Sequence, residues 1–360
     1  MSFQERKPVI AINTRHWIPG NMEGIGRYEM NMAVELSRMH TDVSFHWIFD
    51  RKPHTDLQIP ANVTVHKAFP PARHPLLLAW WYEWTLPALL RKIKADVFLS
   101  ADNINSLRSP CPSIIVIHDI GFEHNPSDLP HRWARYYKEK TPGFIESACK
   151  VVTVSEFSKS DIIEQYGTAA DKIAVVGNGV ADSFGPLPAE KISEIRNKLS
   201  GGRPYFFVLG SLHPRKNLKK TIEAYIQFRQ GNEFHYPLVI SGRPLWNDPF
   251  MNELKQSGTW DKDIIFTGYL NDSEVADAMG ASFALLFMSC WEGFGVPLIE
   301  AFACGVPVIA SNVTAIPEVA GNCALMAYPT SAGDIAAAMK RLVSDNNLQQ
   351  ELSENGLQRA

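Results

Sequence analysis

Two glutamates, Glu292 and Glu300, flank the segment Gly293-Phe294-Gly295-Val296-Pro297-Leu298-Ile299. Glycines at 293 and 295 let the backbone approach a ligand closely. Pro297, tolerated in a first turn, followed by Leu298, Ile299, Ala301, Phe302 and Ala303, predicts that a helix opens here. A helix N-terminus presents free N–H groups and a partial positive charge, and anions bind there. Glu292 before the helix and Glu300 about one turn into it can then meet two parts of one ligand. The arrangement predicts a cradle for a sugar nucleotide, with phosphates on N–H groups and hydroxyls on carboxylates. The alternative is a strand–turn–helix with two solvated glutamates. The preceding apolar run Ala284-Leu285-Leu286-Phe287-Met288-Ser289 predicts a buried parallel strand. It places the cradle at a strand's C-terminal edge, where open α/β sheets bind ligands.

Other residues can add to this chemistry. Arg215 and Lys216 lie between a predicted strand end and a predicted helix. Two adjacent cations there can neutralise a diphosphate, Arg as a planar fork and Lys as a point charge, or can be a solvated surface pair. Gly24 and Gly26 are expected in a loop between the first strand and its helix, where backbone N–H groups can approach a phosphate or simply make a tight turn. Their spacing is not Gly-x-Gly-x-x-Gly, which argues against a dinucleotide fold of the oxidoreductase kind. His118 ends a predicted strand, where a histidine can donate to a sugar hydroxyl or be structural. Ser155 and Ser158 are candidates for a helix cap. Asp261-Lys262-Asp263 has an Asp-x-Asp spacing that can hold a divalent ion, but it reads as a loop charge cluster, so no metal is expected.

The elements that must position these groups alternate. In the first half, strands are predicted at 8–13, 43–49, 95–100, 113–118, 150–155 and 173–176, with Tyr28, Met32, Leu36 and Met39 as the apolar stripe of the first helix. The second half restarts with strands at 205–210, 237–242, 263–267, 284–288 and 306–310 and a helix over 218–229. Repeated β-α alternation means parallel sheets with helices on both faces. The Pro- and Gly-containing stretch 181–188 suits a linker, so the domains are placed at 1–182 and 183–360.

A chain of 360 residues can fill two cores, and with 45% apolar and 20% charged residues its composition is ordinary. A net charge of -3 offers no basic field for nucleic acid. Five cysteines (111, 149, 290, 304, 323) show neither CxxC nor zinc spacing and suit a reducing cytoplasm. The polar N-terminus predicts no signal peptide. Residues 76–90 are the most apolar stretch, short for a membrane span and interrupted by Glu83 and Pro87. They predict a partly buried helix, or a membrane-surface helix, given the tryptophans beside Arg91, Lys92 and Lys94.

Six segments in order, Gly24-Ile25-Gly26-Arg27-Tyr28, His118-Asp119-Ile120, Val154 to Lys159, Gly177-Asn178-Gly179-Val180, Pro214-Arg215-Lys216-Asn217 and Glu292 to Glu300, resemble the family 4 retaining, nucleotide-sugar-dependent glycosyltransferases. The resemblance covers essentially the whole chain and leans toward bacterial mannosyl- and related transferases of O-antigen, capsule and exopolysaccharide assembly. It implies the GT-B fold, two Rossmann-like doubly wound domains facing across a cleft. The donor, with GDP-mannose favoured, belongs to the C-terminal domain and a glycan or lipid-linked acceptor to the N-terminal one. Lys216 and Arg215 would hold the donor pyrophosphate. Many members carry an arginine directly after the strand glycine; Ser211 stands there, so Arg215 takes that role. Glu292 and His118 would contact the donor sugar, Glu300 the ribose, and Phe294, Gly295 and Val296 would supply N–H groups. Gly24 and Gly26 would face donor or acceptor. No metal or cofactor is implied, and the location expected is cytoplasmic, peripheral at the membrane. Family members usually continue into a last helix that crosses back to the N-terminal domain, and the resemblance implies that it is missing after Ala360. Alternatives are a GT-B sugar-nucleotide 2-epimerase and a nonenzymatic sugar-nucleotide binding module.

Overall fold

Short apolar runs become parallel strands in both halves of the chain. The computed structural model describes residues 6–18, 24–53, 58–72, 74–210, 213–230, 234–242 and 262–360. The chain divides into two units, Met1–Gly177 and Asn178–Ala360. The division falls five residues before the predicted boundary, so the segment 181–188 opens the second unit.

The first unit carries β1 (Val9–Asn13), β2 (Ser44–Phe49), β3 (Val63–Lys67), β4 (Val97–Ser100), β5 (Ser113–Ile117), β6 (Lys150–Thr153) and β7 (Ile173–Val175), in the spatial order β3-β2-β1-β4-β5-β6-β7. All neighbours pair in parallel. Successive residues of a strand point to opposite faces, so Ala11 and Ile12, Phe98 and Leu99, and Ile115 and Val116 each divide between two cores. Helix α1 (Gly24–Met39) packs on one face. Its buried positions are Gly26, Glu29, Ala33 and Ser37, while Met39 is exposed. The predicted stripe of Tyr28, Met32 and Leu36 is only half buried: small residues let the helix lie close to the sheet, and they form its inner face. Gly24 and Gly26 lie in the first turn of α1 and not in a loop before it.

Residues 75–93 are helical in three pieces. Helix α2 (Pro75–Trp80) runs through a π turn at Trp81–Thr85 into α3 (Leu86–Ile93). Leu78, Trp81, Tyr82, Leu86 and Leu90 are buried, whereas Leu76, Trp80 and Trp84 are exposed. Helices α4 (Gly121–His124), α5 (His131–Ser147) and α6 (Glu156–Tyr166) complete the unit. Ser155 caps α6 by accepting from the Ser158 N–H at 3.0 Å, the role its type predicted.

The second unit repeats the scheme. Its strands β8 (Phe206–Leu209), β9 (Leu238–Ser241), β10 (Ile264–Gly268), β11 (Ala284–Phe287), β12 (Val308–Ser311) and β13 (Ala324–Ala327) lie in the order β10-β9-β8-β11-β12-β13, again parallel. Phe206 and Phe207 divide between its two cores as Leu286 and Leu285 do. Helices α7 (Ala189–Ser200), α8 (Leu218–Arg229), α9 (Asp272–Gly280), α10 (Val296–Ala303), α11 (Ile316–Ala320), α12 (Ala332–Ser344) and α13 (Asn346–Arg359) surround the sheet. The last of these packs on α10, with a Cβ at Gly356 falling 3.0 Å from Phe302. Each sheet therefore has one place where strand order reverses, β1/β4 in the first unit and β8/β11 in the second. A crevice opens at such a place beyond the carboxyl ends of the strands.

Candidate active site

The β8/β11 crevice of the second unit collects the residues singled out from the sequence. Beyond β8, Gly210 takes φ 135°. That backbone conformation is one that L side chains rarely adopt, and the Lys216 chain runs alongside, its Cε 3.4 Å from where a Cβ would stand. Pro214–Lys216 form a single 3₁₀ turn, opened by His213 Nδ1 accepting from the Arg215 N–H at 3.3 Å. Asn217, in the left-handed region at φ 57°, ends it and donates to Pro329 O at 2.7 Å. Ser211 lies outside the described residues.

Beyond β11 the chain runs through Ser289 to Glu292 before α10. Ser289 O accepts from Ser311 Oγ at 2.6 Å, and Glu292 N donates to Thr314 Oγ1 at 3.2 Å. The end of β12 and the segment after it thus hold this loop. Arg215 Nη1 donates to Trp291 O at 3.0 Å and pairs with Glu292 Oε2 at 2.9 Å, and Lys216 Nζ pairs with Glu292 Oε1 at 2.6 Å. Burial alone would raise the Glu292 carboxyl; Lys216 and Arg215 outweigh it and bring it down to about 2. Burial lowers Lys216, opposed by Glu292. Two cations on one carboxylate leave a net charge of about +1. Each Glu292 oxygen keeps a lone pair for a hydroxyl donor.

Four residues after Glu292, α10 begins. Gly295 has φ 105°, and a Cβ on it would meet Leu298 at 3.0 Å and Phe287 at 3.2 Å. The backbone N–H groups of Phe294, Gly295 and Val296 have no acceptor among the described residues. Three free donors at a helix N-terminus beside a net positive triad suit a diphosphate. Glu300 lies in the next turn, 6% exposed, and its charge is felt at Lys216.

In the first unit, His118 follows β5. Its Nε2 lies 2.9 Å from Ala101 O, so Nε2 carries the proton and donates to that carbonyl. Burial lowers its pKa, which favours the neutral ring. Nδ1 is then the acceptor, and the atom His118 can offer a sugar hydroxyl is a lone pair instead of the expected donor. Tyr28 packs edge-on against the ring at 4.8 Å. Asp263 is held by Arg203 and Arg229 at 3.2 and 3.3 Å, and Asp261 lies outside the described residues.

The family described as Glycosyltransferase Family 4 matches residues 22–184, and that described as Glycosyl transferases group 1 matches residues 190–359. The chain belongs to the glycosyltransferases. It is 31% identical over 69% of its length to the O-antigen chain mannosyltransferase B of Escherichia coli, covering 65% of that protein. It is 27% identical over 72% of its length to a serotype-specific mannosyltransferase WbdA of Escherichia coli, of which it spans 32%. This glycosyltransferase superimposes with a TM-score of 0.79 at 18% identity on sucrose-phosphate synthase from Thermosynechococcus elongatus, covering 98% of this chain and 94% of that one. For Anabaena HepE in complex with UDP and glucose the TM-score is 0.75 at 17% identity, covering 98% and 94%. The two doubly wound units of the chain are those of the GT-B fold.

The sequence did not single out Arg15, His16, Glu29, Tyr82 and Asp102, which the glycosyltransferase brings together beyond β1 and β4. The available signal was position: Arg15 and His16 come just after β1, and Asp102 just after β4.

Proposed function

We propose that this glycosyltransferase moves a mannosyl group from GDP-mannose, with retention at the anomeric carbon, to a hydroxyl of a glycan or lipid-linked saccharide. The observation that carries this reading is the Arg215–Lys216–Glu292 triad set against the free N–H groups of residues 294–296 at the β8/β11 crevice. The mannosyl preference is supported by the names of the two Escherichia coli relatives. A UDP-bound neighbour of the same fold supports a nucleotide donor. The bond from the anomeric carbon to the diphosphate oxygen breaks as the bond to the acceptor oxygen forms. The acceptor proton passes to the leaving diphosphate on the same face of the sugar. Arg215, Lys216 and the helix N-terminus stabilise the negative charge that grows on that leaving group.

On this reading no divalent ion or cofactor is needed, because the protein's own cations meet the diphosphate. The test is transfer from GDP-mannose, against UDP-glucose, to a mannose-terminated acceptor, with NMR of the product's anomeric configuration. An α-linked product formed equally well in EDTA is expected. Loss of activity in EDTA restored by Mn²⁺, or epimerised nucleotide sugar without acceptor, would displace the proposal.

Leu76, Trp80 and Trp84 present an exposed apolar edge on α2 and the π turn, and the Arg108 guanidinium stacks on Trp84 at 4.1 Å. No helix among the described residues is long and apolar enough to cross a membrane. We read this edge as a peripheral contact with an anionic lipid surface, where tryptophan and arginine sit at headgroup level. Co-sedimentation with phosphatidylglycerol vesicles should fall several-fold in Trp80→Ser/Trp84→Ser. Equal binding by the variant, or none by the wild type, would remove the membrane from this face.

A further inference from the structure

Both sheets reverse strand order once, and the reaction as proposed uses the crevice of the second unit. The corresponding place in the first unit, beyond β1 and β4, holds a dense buried polar set with no role in that scheme. Asp102, 1% exposed, accepts from Arg15 Nε at 3.1 Å and Nη2 at 2.8 Å, and from the Tyr82 hydroxyl at 2.7 Å. Asn13 donates to Tyr82 Oη at 2.8 Å. Glu29, fully buried on the inner face of α1, accepts the His16 backbone N–H at 2.8 Å through Oε2, while its Oε1 has no partner among the described residues. A buried carboxyl oxygen without a partner is costly and rare in a folded protein.

The charges resolve one another. Burial would raise Asp102, but Arg15 outweighs it and keeps the carboxylate ionised. Burial, helped by Asp102, raises Glu29 well above the usual carboxylate range, which favours its neutral acid form. Burial and then Arg15 lower His16 to about 4, so its ring is neutral. With Glu29 and His16 in the neutral forms their burial favours, the Arg15–Asp102 ion pair leaves the cluster without net charge. The ligand atoms of His16, Glu29 and Asp102 lie within 4.8 Å of one another, a spacing that could suit a metal, but the Arg15 guanidinium already supplies the cation there.

His16 is the member that reaches solvent, its side chain 34% exposed. Its Nε2 lies 2.6 Å from Arg15 Nη2. A guanidinium has no lone pair to offer, so Nε2 must be the acceptor. A neutral imidazole whose Nε2 accepts carries its proton on Nδ1. That Nδ1–H has no partner among the described residues. The result is a donor of fixed tautomer on a partly exposed ring, at a sheet crevice whose own charges are paired. Such a site does not suit a diphosphate. It suits the hydroxyl or ring oxygens of an uncharged sugar.

We propose that His16 is a specificity-determining residue for the acceptor, donating from Nδ1 to an oxygen of the acceptor sugar, and that Arg15, Asp102, Tyr82 and Glu29 are positioning residues that hold it in that tautomer. The proposal rests on the glycosyl-transfer reading. The test uses the full chain with GDP-mannose and an aryl α-mannoside as acceptor probe, and compares His16→Ala, His16→Gln and His16→Asn. An Asn amide nitrogen takes the place of Nδ1, whereas that of Gln takes the place of Nε2. Acceptor KM should rise about tenfold in the Ala and Gln variants and stay within about threefold of wild type in the Asn variant, the size of one neutral hydrogen bond. Donor KM and donor hydrolysis without acceptor should hardly change in any of them, a split that a general loss of structure would not produce. Long-range proton–nitrogen NMR of the wild type should show His16 Nε2 as the unprotonated nitrogen. An unchanged acceptor KM in His16→Ala, activity kept by Gln but lost by Asn, or a protonated Nε2 would each overturn the proposal. If the wild type transfers no sugar, the transfer reading fails separately. Calorimetric binding of the mannoside by the same variants then decides His16, with binding lost in Ala and Gln and kept in Asn as the supporting result and equal binding by all as the contrary one.

Discussion

Lys216→Ala is expected to lower turnover by about 10²- to 10³-fold, the scale of losing one preorganised donor to a developing negative charge. The lysine is half-buried beside Gly210, its ammonium fixed 2.6 Å from Glu292 and 5.1 Å from the Phe287 ring centroid. A charge so restrained needs little reorganisation when the leaving diphosphate gains charge, so the effect should fall on kcat more than on donor KM. Glu292 retains Arg215 at 2.9 Å in the variant, which leaves the carboxylate paired and the fold intact by thermal melt. Arg215→Ala should act in the same direction with a smaller loss, because Arg215 is one third exposed and also serves Trp291 O. Near-normal turnover in a folded Lys216→Ala protein would reduce the pair to structural cations.

Glu300→Ala should weaken binding of GDP itself about 10- to 150-fold, the cost of a charged hydrogen bond to the ribose made in the ground state. The residue is 6% exposed in the second turn of α10, so its side chain is held before any ligand arrives. Calorimetry with the nucleoside diphosphate alone separates this effect from catalysis. A melt without nucleotide separates it from a loss of packing. Unchanged GDP affinity would take Glu300 away from the ribose.

The parallel strands were legible because a strand buried on both faces is a continuous apolar run. Ala284–Phe287 and Ser113–Ile117 needed no partner to be recognised. Two edge strands were missed. In β3, Val63-Thr64-Val65-His66-Lys67 is nowhere fully buried, and β13 is buried only at Ala327. An edge strand covered on fewer sides carries less apolar signal, so composition alone does not separate it from a loop. Helix α1 was legible as a helix, but its inner face was not. An apolar stripe usually faces a core, yet here the sheet accepts Glu29, Ala33 and Ser37 and leaves Met39 in water. That choice follows from close packing of small residues on the sheet and from the His16 backbone N–H, which Glu29 accepts there.

The sequence alone determined which chemical groups stand at the ends of strands. Arg215 and Lys216, Glu292 and Glu300, and His118 all follow apolar runs or glycine turns, and chain order is enough to put them at carboxyl edges. Tertiary structure alone decided what those groups are to one another. Residues 216 and 292 become an ion pair across 76 positions, and residues 15 and 102 across 87. The protonated nitrogens of His118 and His16 follow from Ala101 O and Arg15, neither of which the histidine positions announce. Strand order is the physical reason: the β1/β4 and β8/β11 pairings make neighbours of distant residues, and burial there gives each contact its electrostatic weight.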